Sequence, residues 1–238
     1  MKIKFAKPDI EIFVKSSNGV DSSYNKWNET PPPYPAKKSI PEWFKNTGNV
    51  DKKHNLVKTI KKCPPFLDAF TTGYIIPFAS ECNIKLKQER QVTYSGPGTM
   101  FVSMHVKSQY ANSPWKDKIV MKYASPWIIE TPPGWSCLFL HPLNDDNPNF
   151  ESIAGIVDTD TYRLPVNFPF VVNATPGTEF SLTEQTPMIQ VIPFFRQEWE
   201  HEIKSVNLSE WTAHQAALGD SWDKDGYKDL FHQKKKFT

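Results

Sequence analysis

Apolar and polar residues alternate in short runs over much of the chain. CNIKLKQ (82–88), RQVTYS (90–95), TMFVSMHVK (99–107), DKIVMKYA (117–124), PWIIET (126–131) and SCLFLH (136–141) each carry the period of two that predicts a strand. Turn formers separate them at SGPG (95–98), ANSP (111–114) and TPPGW (131–135). Further on, FPFVV (168–172) and EFSLT (179–183) flank a turn at ATPGT, and PMIQVIPFF (187–195) is almost continuously apolar, the mark of a strand buried on both faces. Such closely spaced strands predict an antiparallel sandwich or barrel. No alternation of strand and helix supports a doubly wound parallel sheet.

The two ends read differently. Ile3 and Phe5, then Ile10, Ile12 and Val14, predict one or two strands broken at Pro8. SSNGVDSSYNKWNETPPPYP (16–35) is turn-forming and polyproline-like, and predicts an extended surface arm. In SIPEWFKN (39–46), Ser39 as N-cap and Pro41 in the first turn predict a short helix carrying Trp43 and Phe44. In KCPPFLDAFTTGYIIPF (62–78), Pro64 and Pro65 open a helix with Phe66, Leu67 and Phe70 on one face, Gly73 closes it, and a strand starts at Tyr74. From Gln197 charged residues and helix formers take over: Ser209, Glu210 and Trp211 open a helix that Gly219 ends, and a shorter amphipathic piece holds Tyr227, Leu230 and Phe231. The chain thus divides into an N-terminal strand and proline-rich arm (1–50), a β core (51–196) and a helical, aromatic and basic tail (197–238).

Composition narrows the function classes. With 21 Pro and only 10 Gly among 238 residues, loops and short strands are expected over long helices. A net charge of +2 gives no strong field to select an anionic partner. The three cysteines Cys63, Cys82 and Cys137 are widely spaced and odd in number, which fits buried thiols in a reducing compartment better than a disulfide framework or zinc knuckle. No apolar leader opens the chain, and no apolar run approaches the ~20 residues a membrane span needs.

Candidate chemistry is sparse. The histidines form no HxH, HxxxH or His-x-carboxylate pair, so no facial metal triad is expected. Phosphate loops and nucleophile elbows are absent. In GIVDTDTYR (155–163), Asp158 and Asp160 have three readings: acids that satisfy turn amides, a base at Asp158, or half of a divalent-ion ligand set to which Asp145 and Asp146 could add. The residues favour the first, because a nucleotide site needs cationic or N–H-rich company and only Arg163 and Arg196 lie in this segment. At the C-terminus Trp211, Trp222, Tyr227, Phe231 and Phe237 interleave with charge. That pattern suits docking on a neighbouring subunit better than stacking on single-stranded nucleic acid.

The order of features in residues 126–196 resembles the β-clip core of dUTPases and dCTP deaminases. The matching pieces are the Pro133-Gly134 turn, Gly155-Ile156-Val157-Asp158, Tyr162 one residue late in the aromatic place, and Pro187-Met188-Ile189-Gln190-Val191-Ile192 as the last strand. The family's Arg-Ser-Gly is replaced by His141-Pro142-Leu143-Asn144, its small turn by Leu164-Pro165, and its Gly/Ser-rich closing arm by the aromatic tail. Taken as an enzyme, the resemblance implies a diverged nucleotide hydrolase or deaminase with Asp158 as base, Tyr162, Gln190 and His141 lining the pocket, and Mg2+ as cofactor. Over the whole chain, PYPAKKSIPEWFKN, TIKKCPPFLDAFTTGYIIPF, SPWIIETPPGWSCLFLHPLN, GIVDTDTY and KKKF resemble uncharacterised proteins of tailed phages. That resemblance implies a virion or host-cytoplasm setting.

The expectation is therefore a mainly β, β-clip-like barrel or sandwich with a non-enzymatic binding or assembly role and no cofactor. It would be a homo-oligomer or bind other phage proteins, away from membranes and nucleic acid. Contacts are expected through Trp43, Phe44, Trp211, Trp222, Tyr227 and Phe231.

Overall fold

The computed structural model describes residues 1–8, 27–50, 53, 55, 59–87, 91–220 and 226–235. Expectations for Ile10, Ile12, Val14, the first part of the arm, Trp222 and Phe237 fall outside those residues.

The described chain is mainly β. The strands are β1 (Lys4–Ala6), β2 (Tyr34–Pro35), β3 (Tyr74–Pro77), β4 (Cys82–Leu86), β5 (Val92–Ser95), β6 (Val102–Met104) and β7 (Ile119–Ala124). They continue with β8 (Ile128–Glu130), β9 (Trp135–Leu140), β10 (Phe150–Ser152), β11 (Gly155–Val157), β12 (Asn167–Val172), β13 (Glu179–Leu182) and β14 (Pro187–Phe195). The helices are α1 (Glu42–Asn46), α2 (Pro64–Thr71), α3 (Leu208–Asp220) and α4 (Gly226–Leu230). A five-stranded sheet has the order β11-β9-β14-β3-β2 and a four-stranded one β10-β12-β7-β6. Smaller sheets are β13-β4-β5 and β1-β8. Every pairing described is antiparallel. From β9 to β12 the chain alternates between the two larger sheets, which binds them into one body.

The core lies where the sheets face one another. Phe139 of β9 meets Phe168 of β12 at 5.2 Å between ring centroids, and Phe78 meets Tyr123 of β7 at 5.1 Å. Fully burying such rings is worth about 1.5–3 kcal/mol each. The Tyr123 hydroxyl, taken out of water with its ring, donates to the Pro77 carbonyl at 3.0 Å and so joins the two larger sheets by a polar bond. β14 is the central strand that its composition predicts, with Met188, Ile189, Gln190 and Val191 all buried.

α1 and α2 cover one face of the five-stranded sheet with a second aromatic cluster. Phe44 stacks on Phe66 at 6.0 Å and tilts against Phe70 at 4.9 Å, while Trp43 meets all three rings. α2 opens with Pro64 and Pro65, where missing N–H groups cost nothing. It stops before Gly73, whose φ of +74° and position against β14 (a Cβ there would sit 2.0 Å from the Val191 carbonyl oxygen) require glycine.

Four local expectations are corrected. The end of the arm is packed: Trp27 stacks on core Phe101 at 5.9 Å, Thr30 is buried, and β2 pairs with β3. Its backbone groups are satisfied by the sheet, which a solvated arm would not need. Ser39 does not cap α1; it ends a 3-10 turn, and Pro41 stands at the N-cap. A 3-10 turn over Pro97–Phe101 replaces the start of the strand expected there, because Gly98 N–H is drawn to the Glu81 carbonyl. α3 passes through Gly219 to Asp220. No helix among the described residues is long and apolar enough to cross a membrane.

Candidate functional site

The opening of β9 and the end of β14 lie side by side, with Trp135 opposite Phe195 and Ser136 opposite Phe194. β11 runs along the other edge of β9, Val157 opposite Cys137. This register brings Asp158 to Ser136, whose hydroxyl donates to Asp158 Oδ1 at 2.7 Å. Arg196, the first residue past β14, completes the group. Its guanidinium donates to Asp160 Oδ1 at 2.9 Å, to Asp160 Oδ2 at 2.5 Å, to Asp158 Oδ1 at 3.3 Å and to the Ser136 hydroxyl at 2.8 Å. The Gly134 amide adds a bond to Asp160 Oδ2 at 2.8 Å. Hydrogen bonding from Arg196 leads in holding the Asp160 carboxyl well below its ordinary value, at about 2. Asp160 is thus the acid that satisfies a turn amide, while Asp158 accepts a hydroxyl and a guanidinium proton. The Arg196 fork is already engaged by two carboxylates of its own chain, which compete with any phosphate for it. Tyr162 stands half-exposed beyond the turn, its amide bonded to the Asp158 carbonyl.

His141 and Gln190 are at the other end of β9. Gln190 pairs with Leu140 across the sheet. From Ser136 to Leu140 is four residue steps, about 13 Å along a strand. The structure therefore does not gather Asp158, His141 and Gln190 into one pocket. Gln190 is buried, and its side chain is fully engaged: Oε1 accepts the Leu143 amide at 2.8 Å, and Nε2 donates to the Ala69 and Thr72 carbonyls at 2.9 and 2.7 Å. It closes the C-terminal end of α2, whose last carbonyls have no partner within the helix.

His141 Nδ1 accepts the Ser152 amide at 3.2 Å, which places the ring proton on Nε2, 3.6 Å from Asp145 Oδ2. Burial lowers the His141 pKa and raises that of Asp145, each against the pull of the other. The ring lies edge-on to Phe150 at 5.5 Å. A cleft of 490 Å3 opens beside it, walled by Trp115, Leu143, Glu151, Ile153 and Val171 among others. Its lining contains no Lys or Arg and includes the Glu151 carboxylate, a poor lining for a polyphosphate. Asp145 and Asp146 border a separate hollow at this end and do not join Asp158 and Asp160. Among the described residues no three His, Cys, Asp or Glu side chains gather as a metal site. Cys137 is buried, with burial pushing its thiol pKa up to about 11.

The expected contact residues divide. Phe44 is buried and Trp43 half-buried in the α1–α2 cluster, with Trp43 Nε1 donating to the Asn144 carbonyl at 3.3 Å. Both rings pack on Phe66 and Phe70 of α2. Trp211, Tyr227 and Phe231 are exposed.

Sequence reasoning missed the segment between Arg196 and α3. Residues 197–207 adopt no regular structure and are all exposed. Trp199 is 81% and Ile203 92% exposed, while Val206 and Leu208 follow at 66% and 71%. Beyond α3 the chain returns: His232 Nε2 and Lys235 Nζ meet Asp68 of α2 at 3.1 and 2.5 Å. Burial alone would raise the Asp68 pKa; the bonds from Lys235 and His232 outweigh it and hold the carboxyl below its ordinary value. Comparison with models of known protein families and with curated proteins finds no match.

Proposed function

We propose that this chain is a non-enzymatic binding and assembly protein of the phage type its sequence resembles, with a degenerate β-clip-like core as its mount. One observation carries the reading: a segment that leaves the body at Arg196 holds Trp199 and Ile203 almost wholly in water. Exposing two large apolar side chains four positions apart forfeits about 1.5–3 kcal/mol each unless a partner covers them. The alternative, a nucleotide hydrolase or deaminase based on Asp158, lacks support from the geometry. Its carboxylate is tied to Ser136 and Arg196, and His141 and Gln190 lie at the far end of β9.

Partners on this reading are further copies of the chain or other phage proteins, in the virion or host cytoplasm. Truncation after Gln197 tests it: sedimentation of the shortened chain should show loss of the assembled species, and an unchanged species would refute a role for the tail. The enzyme alternative meets a thermal-shift panel of dUTP, dCTP and other nucleotides. A ligand at a hundred times its Kd adds about 2.7 kcal/mol of stability, so a real nucleotide site could not stay silent.

A further inference from the structure

The exposed segment has a pattern of its own. In Glu198-Trp199-Glu200-His201-Glu202-Ile203 acids alternate with Trp, His and Ile. A strand built from these residues would place three carboxylates on one face and the two large apolar side chains, with His201, on the other. That is the pattern of an edge strand lying on a body, yet here it lies on nothing. Among the described residues Gln197–Val206 make no backbone hydrogen bond, and Glu198, Glu200 and Glu202 have no cationic partner.

The same chain carries the complement. β1 belongs to a two-stranded sheet, pairing only with β8, so its other edge is open among the described residues. Its sequence, Lys2-Ile3-Lys4-Phe5, alternates in the opposite sense of charge. Ile3 and Phe5 are half-buried against the core, with Phe5 on Tyr74 at 5.2 Å. Lys2 and Lys4 face water, and Lys4 shares Glu130 with Arg163, at 3.7 and 3.4 Å. Two cations, Lys4 and Arg163, thus share one carboxylate, and Lys2 adds an exposed positive charge on the face of Lys4.

We infer that residues 198–203 of one copy add as a strand to the open edge of β1 in a second copy. The inference rests on the assembly reading and names its partner. The glutamates would lie beside Lys2 and Lys4. Trp199 and Ile203 would extend the apolar face begun by Ile3 and Phe5, and the open backbone edges would pair with each other. Each copy owns both elements, so a reciprocal exchange closes a two-fold dimer. Arg196, bonded to Asp160, anchors the start of the segment to its own body.

A charge exchange on the full chain tests this by sedimentation. Lys2→Glu/Lys4→Glu in one variant, and Glu198→Lys/Glu200→Lys/Glu202→Lys in another, should each yield monomers that still unfold cooperatively, the first slightly destabilised because Lys4→Glu sets a carboxylate facing Glu130. Mixed in equal amounts they should dimerise, because each supplies the sign the other lost. Association that persists in both variants, or no rescue on mixing, overturns the β1 site. If truncation after Gln197 still abolishes association in that case, the assembly reading survives and only the docking site falls. A wild-type chain that is monomeric at every concentration overturns the inference outright.

Discussion

Gln190→Leu isolates the claim that this glutamine is a structural clamp. The substitution keeps a buried side chain of similar size and removes one acceptor and two donors. It strands the Leu143 amide and the Ala69 and Thr72 carbonyls, three backbone groups that the wild-type side chain satisfies at 2.7–2.9 Å. A buried backbone group left without its partner costs about 1–3 kcal/mol, with carbonyls at the lower end because they hold a second lone pair. The three together come to about 4 kcal/mol, and burying a leucine in place of an amide returns about 1 kcal/mol. The net loss of about 3 kcal/mol lowers the folding equilibrium constant roughly 150-fold. In urea, with a slope of about 2 kcal/mol per molar, the unfolding midpoint should fall by about 1.5 M. A shift below about 0.5 M would refute the clamp. Gln190→Glu sharpens the test. It turns an ionised oxygen toward two carbonyls, so its folded pKa is raised above the ordinary glutamate value. The sign follows: stability recovers below about pH 4, where the introduced carboxyl is protonated in both states, and is lost as pH rises. A variant whose stability does not improve on acidification would contradict the placement of Nε2.

Arg196→Gln should release Asp160, and carbon-detected NMR titration should show its pKa climbing from about 2 toward the ordinary value. In wild type this depressed acid contributes stability above about pH 4 that is lost as pH falls toward 2, so the variant should show a flatter acid limb. An unchanged titration would mean that Gly134 rather than Arg196 dominates. Gly73→Ala forces a side chain into positive φ and onto the Val191 carbonyl; thermal unfolding should register at least about 2 kcal/mol. Phe44→Ala should cost about 3–5 kcal/mol by emptying the α1–α2 cluster and leave the assembled state of the folded protein unaltered. Loss of assembly at full occupancy of the native fold would instead return Phe44 to the contact surface.

The strands were legible because their pattern is local. Alternation in CNIKLKQ and DKIVMKYA reports a half-buried pleat wherever its partner lies, and β4 and β7 form there. Prolines at the start of α2 and glycine beyond its end worked for the same reason. The site was much less legible. Gln190 meets carbonyls more than a hundred positions earlier, and Arg196 reaches back 36 residues to Asp160. Residue type alone gives no sign of either meeting. Trp43 and Phe44 read as contact residues because a five-residue helix cannot hide two rings by itself; the rings that cover them come from α2. In the tail, glutamates and lysine suggested helix by composition and masked a period of two that, in residues 198–203, is as regular as in any core strand.

The clasp of His232 and Lys235 on Asp68 turns the tail into a loop fastened at both ends. A fastened loop searches less space than a dangling arm, so it surrenders less freedom when a neighbour captures it. Breaking that clasp would convert the handle into a loose thread and weaken capture through entropy.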